Sequence, residues 1–561
     1  MPRSRRVALS AAVALGAATG AAAIAQAVTS TTSTREYLVV YRSTADAQQA
    51  RQAITAAGGT VVRENSDVGV AVVRSSADGF ADTVDASTAV VGAADDHTVI
   101  GRAPQDRMAR NRAVEHDQQV GGSPKTPTGS PQKGADPLTG LQWDMNTIGA
   151  PLAHTREMGS HGVLVGVIDT GIDGTHPDIA PNFNAKLSRN FTVDDPTIDG
   201  PCAEEPDQSC NDPSNVDEDG HGTHVAGTIA AAANGIGITG VAPKVQLVNL
   251  RAGQDSGYFF VEPTVNAITY GADIGVDVVN MSFYVDPWLY NCDANPADSP
   301  EAQQQQRTIR VAVQRAIDYG RSKGVTFISA LGNENTDLNN PTVDDTSPDY
   351  PPDAAYHRVV DKSCIDVPTE NSGVIAVSSV GPSGRKAYYS NWGTDQTDVS
   401  APGGDKRDFF GTPRYLAPEN RILAPYPKNV ADAEGTLNPD GTPNTPMVLR
   451  DCTKGGVCGY YQYLQGTSMA SPHAAGVAAL IVSRYGWSDG HGGKYLPPAI
   501  TERILLRTAT DTPCPDPATF TYPDPDLTPD YTATCEGTPE KNGFYGAGIV
   551  NAAAVVGLKG H

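Results

Sequence analysis

Beyond its N-terminus the chain lacks any apolar run long enough to cross a bilayer, so no later segment reads as a membrane span. It is also short of positive charge, with 41 Lys and Arg against 64 Asp and Glu and a formal net charge of −23. An acidic surface repels nucleic acid and anionic membrane, which removes both from the expected partners. An affinity for basic substrates and the plain solubility of an exported protein account for the acidity equally well. The His-Glu-x-x-His pattern of a helix-borne zinc site is missing too, and no third ligand accompanies His221 and His224.

What is present begins with a compartment signal. Arg3, Arg5 and Arg6 precede an Ala/Val/Leu-rich run from Val7 to Ala25, and Ala25-Gln26-Ala27 offers a small-x-small cleavage site. The run is too short and Ala-dominated for an anchor, so residues 1–27 read as a removed signal peptide and the protein as secreted and extracellular. Eight cysteines in an exported chain favour disulfides over metal thiolates. The close pairs Cys202/Cys210, Cys452/Cys458 and Cys514/Cys535 suggest local clips, leaving Cys292 with Cys364, one choice among the many that eight cysteines allow.

After the signal, Glu36 to Tyr41 reads as a strand, Asp46 to Ala57 as a helix, and Thr60 to Val62 and Gly69 to Val73 as further strands, giving a small α+β unit over 35–101. From 102 to 140 the chain loses apolar periodicity and fills with Arg, Gln, Gly, Pro and Lys, so it reads as a flexible, cleavable linker. From 141 to 561 the pattern changes. Val163 to Ile168, Val245 to Leu250, Val276 to Met281, Val325 to Ala330 and Val374 to Val380 are apolar without alternation, which means burial on both faces. Such strands build a mostly parallel sheet covered by helices, and Ile309, Ala312, Val313, Ala316, Ile317 and Gly320 have helical spacing for one cover. Chemistry in open sheets of this kind sits beyond the carboxyl ends of the strands.

The motifs fall there. Asp169-Thr170-Gly171-Ile172-Asp173-Gly174 follows the first run, and a buried carboxylate at Asp169 suits the orientation of an imidazole, though an Asp in that place also makes turns. Asp219-Gly220-His221-Gly222-Thr223-His224 opens an Ala-rich helix, and small residues flanking His221 let another backbone approach a general base. Gly332-Asn333-Glu334-Asn335 ends the fourth run with an amide suited to a developing oxyanion, or to a loop turn. Gly466-Thr467-Ser468-Met469-Ala470-Ser471-Pro472-His473 places Ser468 at a helix start, where its hydroxyl is exposed and its N–H unsatisfied; alone it would read as a helix cap.

Taken in chain order, Asp169, His221, Asn333 and Ser468 resemble the subtilase family. The resemblance also covers Gly240-Val241-Ala242-Pro243, Asn280-Met281-Ser282 and the closing Gly546-Ala547-Gly548-Ile549-Val550-Asn551, and so spans roughly 141 to 558. It implies a three-layer subtilisin-like α/β fold preceded by a propeptide that acts as an intramolecular inhibitor and is cut away. It further implies a serine endopeptidase acting on polypeptides, monomeric and without a catalytic cofactor, in which Ser468 attacks, His221 moves the proton, Asp169 holds the imidazole and Asn333 binds the oxyanion. All four positions being present weighs against a non-catalytic scaffold; esterase or ligating activity through the same acyl-enzyme chemistry stays open.

Three segments depart from the family pattern. On the strand expected to pair with substrate, Ser282-Phe283-Tyr284 replaces a Ser-Leu-Gly, so with Gly332 these residues are the candidate substrate-binding positions and aromatics narrow the subsites. Acidic 192–218 lengthens the approach to His221, as a solvated, clipped loop or an ion site. The 403–464 insertion before Ser468 borders the cleft or is a passive excursion. A structural calcium is a further implication: Ala232, Asn234, Ile236 and Ile238 match a calcium loop and Asp178 another ligand, with no equivalent for the N-terminal ligand.

Overall fold

In the computed structural model, which describes residues 34–95, 114–121, 135–196, 198–204, 208–350, 354–490, 492–527 and 531–558, the unalternated apolar runs form one sheet. The signal segment and most of the linker lie outside the described residues. The main strands are β5 (Leu164–Ile168), β7 (Gln246–Arg251), β8 (Val278–Met281), β9 (Thr326–Ala330), β10 (Val374–Val380) and β11 (Val399–Pro402), with the short β6 (Arg189–Asn190) at one edge. They pair in the order β11-β10-β9-β8-β5-β7-β6, every pair parallel.

Successive strand residues serve opposite faces. Val165, Val167, Val278, Ile328 and Val377 pack against α3 (His221–Ala230) and α6 (Thr467–Tyr485), whereas Ile168, Val279, Met281 and Phe327 pack against α4 (Val261–Asp273) and α5 (Pro300–Lys323). Double coverage explains why the strands show no polar alternation. Helix α5 runs further than its apolar stripe because its ends are capped: Ser299 accepts from the Ala302 N–H, Pro300 opens the first turn, and Gly324 closes it at φ +108°.

The N-terminal unit is a four-stranded antiparallel sheet in the order β2-β3-β1-β4, with β1 (Arg35–Tyr41), β2 (Gly59–Asn65), β3 (Val70–Ser75) and β4 (Val90–Asp95). One face carries α1 (Ala47–Ala56) and α2 (Phe80–Asp85) over Tyr37, Val39 and Val73. Its other face, through Leu38, Val40, Val70 and Val72, joins the core formed by α4 and α5. Polar ties rim that contact. Arg63 pairs with Glu262 at 2.9 Å, Asn65 donates to Thr269 at 2.7 Å, and Arg315 donates to the carbonyls of Tyr41 and Arg42 at 2.5 and 2.8 Å. Helix α2 and strand β4 were not anticipated from the sequence; both are short, and an Ala/Asp/Thr-rich stretch carries little periodicity.

The 403–464 insertion contributes a further antiparallel sheet in which β14 (Cys458–Leu464) lies between β12 (Ile422–Tyr426) and β13 (Val448–Cys452). Disulfides join Cys202 to Cys210, Cys292 to Cys364, Cys452 to Cys458 and Cys514 to Cys535, the pairing expected from spacing. They close loops of very different length, 72 residues for Cys292–Cys364 and 6 for Cys452–Cys458. Chain entropy therefore predicts that replacing Cys292 and Cys364 by Ala lowers stability by about 4 kcal/mol, against about 2 kcal/mol for Cys452 and Cys458. Denaturant unfolding of the two double variants checks this; equal losses would refute it.

Candidate active site

Asp169 leaves β5 at its carboxyl end and is fully buried, and His221 is the first residue of α3. The helix reaches the strand end because its second residue has no side chain. A Cβ on Gly222 would lie 2.1 Å from the Gly171 carbonyl oxygen. His221 Nδ1 thereby stands 2.7 Å from Asp169 Oδ1, which also accepts the Thr170 N–H at 2.8 Å. Asp217 holds the same corner. Its Oδ1 accepts from the Thr170 hydroxyl and the Gly220 N–H, and its Oδ2 from the Thr223 N–H and hydroxyl. Sequence reasoning passed over Asp217 because it sits in an acidic loop where one more Asp carries no signal; its place four residues before His221 was the available hint.

His224, one turn further on, does a different job. Its Nε2 faces the carbonyls of Ile422 and Gln462, both at 3.1 Å, so that nitrogen carries the hydrogen and ties α3 to the inserted sheet. Burial pushes its imidazole down to about 3, which keeps it neutral.

Ser468 is the second residue of α6. Gly466, at φ +152°, precedes the helix, and a Cβ there would come within 2.9 Å of Glu115. The Ser282 hydroxyl donates to the Ser468 carbonyl at 3.1 Å and shares a hydrogen bond with Ser471, fixing the first turn. Asn333, just beyond β9, accepts the Thr467 N–H and hydroxyl on Oδ1, both at 2.9 Å. With its oxygen so committed, its Nδ2 donors point towards the space above Ser468.

That space is filled by Glu115, from the segment read as a flexible linker. Glu115 Oε1 accepts the Ser468 hydroxyl at 2.6 Å and the Asn333 amide at 3.1 Å, while Oε2 lies 3.4 Å from His221 Nε2. Residues 114–121 are held mainly by polar contacts, with Val114 packed against the cluster of Tyr388, Tyr389 and Tyr522, so composition alone pointed away from order. Gln465 donates to the Val114 carbonyl, Arg421 to the carbonyls of Asp117 and Gln119, and Lys406 pairs with Asp117. Lys406, Leu416 and Arg421 belong to the 403–464 insertion, so the insertion borders the site.

The residues expected to contact substrate, Ser282, Phe283, Tyr284 and Gly332, all line a cavity of about 630 Å³ that includes its open mouth and reaches Ser468 and His221. Phe283 stacks on Phe259 with centroids 4.1 Å apart, and the Tyr284 hydroxyl donates to Asp349 at 2.6 Å.

The expected calcium ligands are engaged in part. Asp178 Oδ2 accepts the Ile238 N–H at 3.1 Å and the Tyr461 hydroxyl at 2.9 Å. The Asn234 amide donates to the Pro177 carbonyl, and its Oδ1 accepts the Ile236 N–H. Neighbouring Asp136 accepts from the Gly235 N–H and the Thr239 hydroxyl. Donors satisfy Asp178 Oδ2, Asn234 Oδ1 and Asp136, whereas Asp178 Oδ1 is buried with no hydrogen-bond partner, which leaves that oxygen open to a cation such as the expected calcium. In the 192–218 loop, Asp194 and Asp212 converge with Asp255 on Arg251, whose guanidinium supplies the positive charge there.

Comparison with known proteins places this geometry. The chain belongs to the subtilase family, whose profile matches residues 160–548. M-protease from Shouchella clausii (strain KSM-K16) is 26% identical over 350 residues, 62% of each chain, and a thermophilic serine proteinase from Bacillus sp. (strain AK1) is 28% identical over 58% of this chain and 53% of its own. The aligned part thus spans little more than half the length of these relatives. Among solved structures, the epidermin leader peptide processing serine protease of Staphylococcus aureus matches with a TM-score of 0.60 at 20% identity, over 94% of this chain and all 100% of its own, a likeness of fold.

If Glu115 blocks the site, Glu115→Ala in the uncut chain will speed labelling of Ser468 by a fluorophosphonate by roughly tenfold or more, the equivalent of one lost hydrogen bond. Unchanged labelling, read by intact-protein mass spectrometry, would show that the carboxylate is no barrier.

Proposed function

We propose that the chain is a secreted serine endopeptidase, made as a precursor whose N-terminal unit and linker keep it latent until they are cut away. The observation that carries this reading is the convergence of three groups on one point. The Ser468 hydroxyl, the Asn333 amide and the imidazole of the Asp169–His221 pair all face the carboxylate of Glu115, an oxygen anion where a substrate's own oxyanion would form.

Given a peptide in place of Glu115, Ser468 Oγ attacks the scissile carbonyl carbon as His221 Nε2 takes its proton. Negative charge on the carbonyl oxygen is met by Asn333 Nδ2 and the Ser468 N–H at the start of α6. Asp169 holds the Nδ1–H and stabilises the imidazolium. His221 then protonates the leaving amine, and water enters by the same route to release the acyl group. None of these steps uses a metal.

The N-terminal unit over 35–101 is the inhibitory propeptide in this reading, and the linker over 102–140 the part trimmed during maturation. Support comes from its docking on α4 and α5 and from residues 114–121 lying across the site. The enzyme makes the first cut itself.

Two measurements test the proposal. Ser468→Ala, exported without other proteases, is expected to accumulate uncut and to hydrolyse no peptide; normal processing of that variant would reject self-cleavage. The parent enzyme is expected to lose kcat/KM as pH falls through the histidine range, because a protonated His221 cannot accept the Ser468 proton. A rate that stays level there would remove His221 from the role of base.

A further inference from the structure

The cavity beside Ser468 contains two carboxyl groups that the reaction above leaves unused. Asp286 and Asp366 both line it and are only 4% and 3% exposed. Buried acids elsewhere in the fold have a structural partner: Asp277 accepts the Leu164 N–H at 2.9 Å, and Asp398 the Ala376 N–H at 3.0 Å. Asp366 Oδ1 is buried with no hydrogen-bond partner, as is one oxygen each of Asp194, Asp212 and Asp255, but those three acids surround Arg251. The charged groups acting on Asp366 are Glu370 and Glu334, which are acids as well. Asp286 accepts the Phe259 N–H and shares a hydrogen bond with Asp349, another acid. Among the described residues, no Lys or Arg lines the cavity.

Burial and these like charges push both carboxyl groups well above the usual carboxylate range, the state of acids waiting for a counter-ion. Apolar and aromatic side chains, the stacked Phe259 and Phe283 and Leu289, line the cavity beside these acids, and the catalytic-site polar groups line its other end. A side chain matching such a cavity has a long hydrocarbon stem and a cationic end. A bound peptide would feed one in directly, since the same cavity reaches Ser468 and Asn333.

We infer that this cavity receives a lysine or arginine side chain from the residue on the acyl side of the scissile bond, with Asp366 pairing its cation and Asp286 as the second acid. The inference rests on the peptidase reading and narrows its substrate class to peptides cut after basic residues. Entry of the cation gives Asp366 the charge-assisted partner it lacks. A neutral side chain of the same shape leaves that acid buried and unpaired, and a site built to pair a polar group rejects an analogue lacking it far more strongly than an apolar slot rejects a misfit.

The test uses the processed enzyme and peptides identical except at that residue, which is Arg, Lys, citrulline or Leu. The expected result is a kcat/KM for Arg and Lys at least about 100-fold above citrulline and Leu. In Asp366→Asn the Arg:citrulline ratio should collapse by at least roughly tenfold. Leu or citrulline cleaved as well as Arg overturns the inference while leaving the peptidase reading intact. An unaltered Arg:citrulline ratio in Asp366→Asn overturns the role of Asp366. The Arg-against-citrulline comparison on the parent enzyme needs no variant to fold. No cleavage of any peptide, with Ser468 unlabelled by fluorophosphonate, rejects the peptidase reading and this inference with it.

Discussion

Burial of a parallel sheet on both faces is the constraint from which the rest of this structure follows. Parallel strands need crossovers, the crossovers are helices, and those helices fill both faces with apolar contact. Polar chemistry is then confined to the strand ends, where backbone leaves the sheet and helices begin. Asp169, Asn333, His221 and Ser468 stand at such places, two after strands and two at helix starts. Glycine makes their meeting possible at two points: Gly222 lets α3 approach the Asp169 turn, and Gly466 leaves room beside Ser468.

Around that frame the molecule spends charge in unusual ways. Arg251 gathers two Asp carboxylates from the loop leading to His221 and a third, Asp255, from just beyond its own strand, and Arg358 is enclosed by Asp298 and Asp344. In each network a guanidinium balances carboxylates away from water, the condition under which a buried charge is tolerable. The cavity acids break that rule. Their unbalanced burial is costly, and local breaches of this kind concentrate where a ligand will complete the set.

The sheet was legible in the sequence because double burial writes itself as unbroken apolar runs, and the four site positions because each follows such a run or opens an Ala-rich helix. Cysteine spacing carried three of the pairings for the same local reason, and Cys292 with Cys364 was what remained. What stayed hidden is long-range and polar. Glu115 lies in a stretch whose composition argues for disorder, yet its neighbours are fixed by Lys406 and Arg421, some three hundred residues away. Asp286 and Asp366 look like ordinary loop acids until folding encloses them together. Asp178 and Asn234 match a calcium loop by residue type, but the sequence could not show that Tyr461, from a strand of the inserted sheet, takes one oxygen of Asp178 and leaves the other without a partner.

Lys406 and Arg421 have a thermodynamic consequence of their own. Both are fully buried beneath residues 117–121, and loss of water drives their pKa values down, Arg421 to about 10. The contact therefore holds two cations away from the hydration they would otherwise enjoy. When the strip of chain above them departs, water returns to both groups, and any returning strip must expel it again. The pair that grips the covering segment thus regains its hydration only at the cost of the hydrogen bonds that hold that segment.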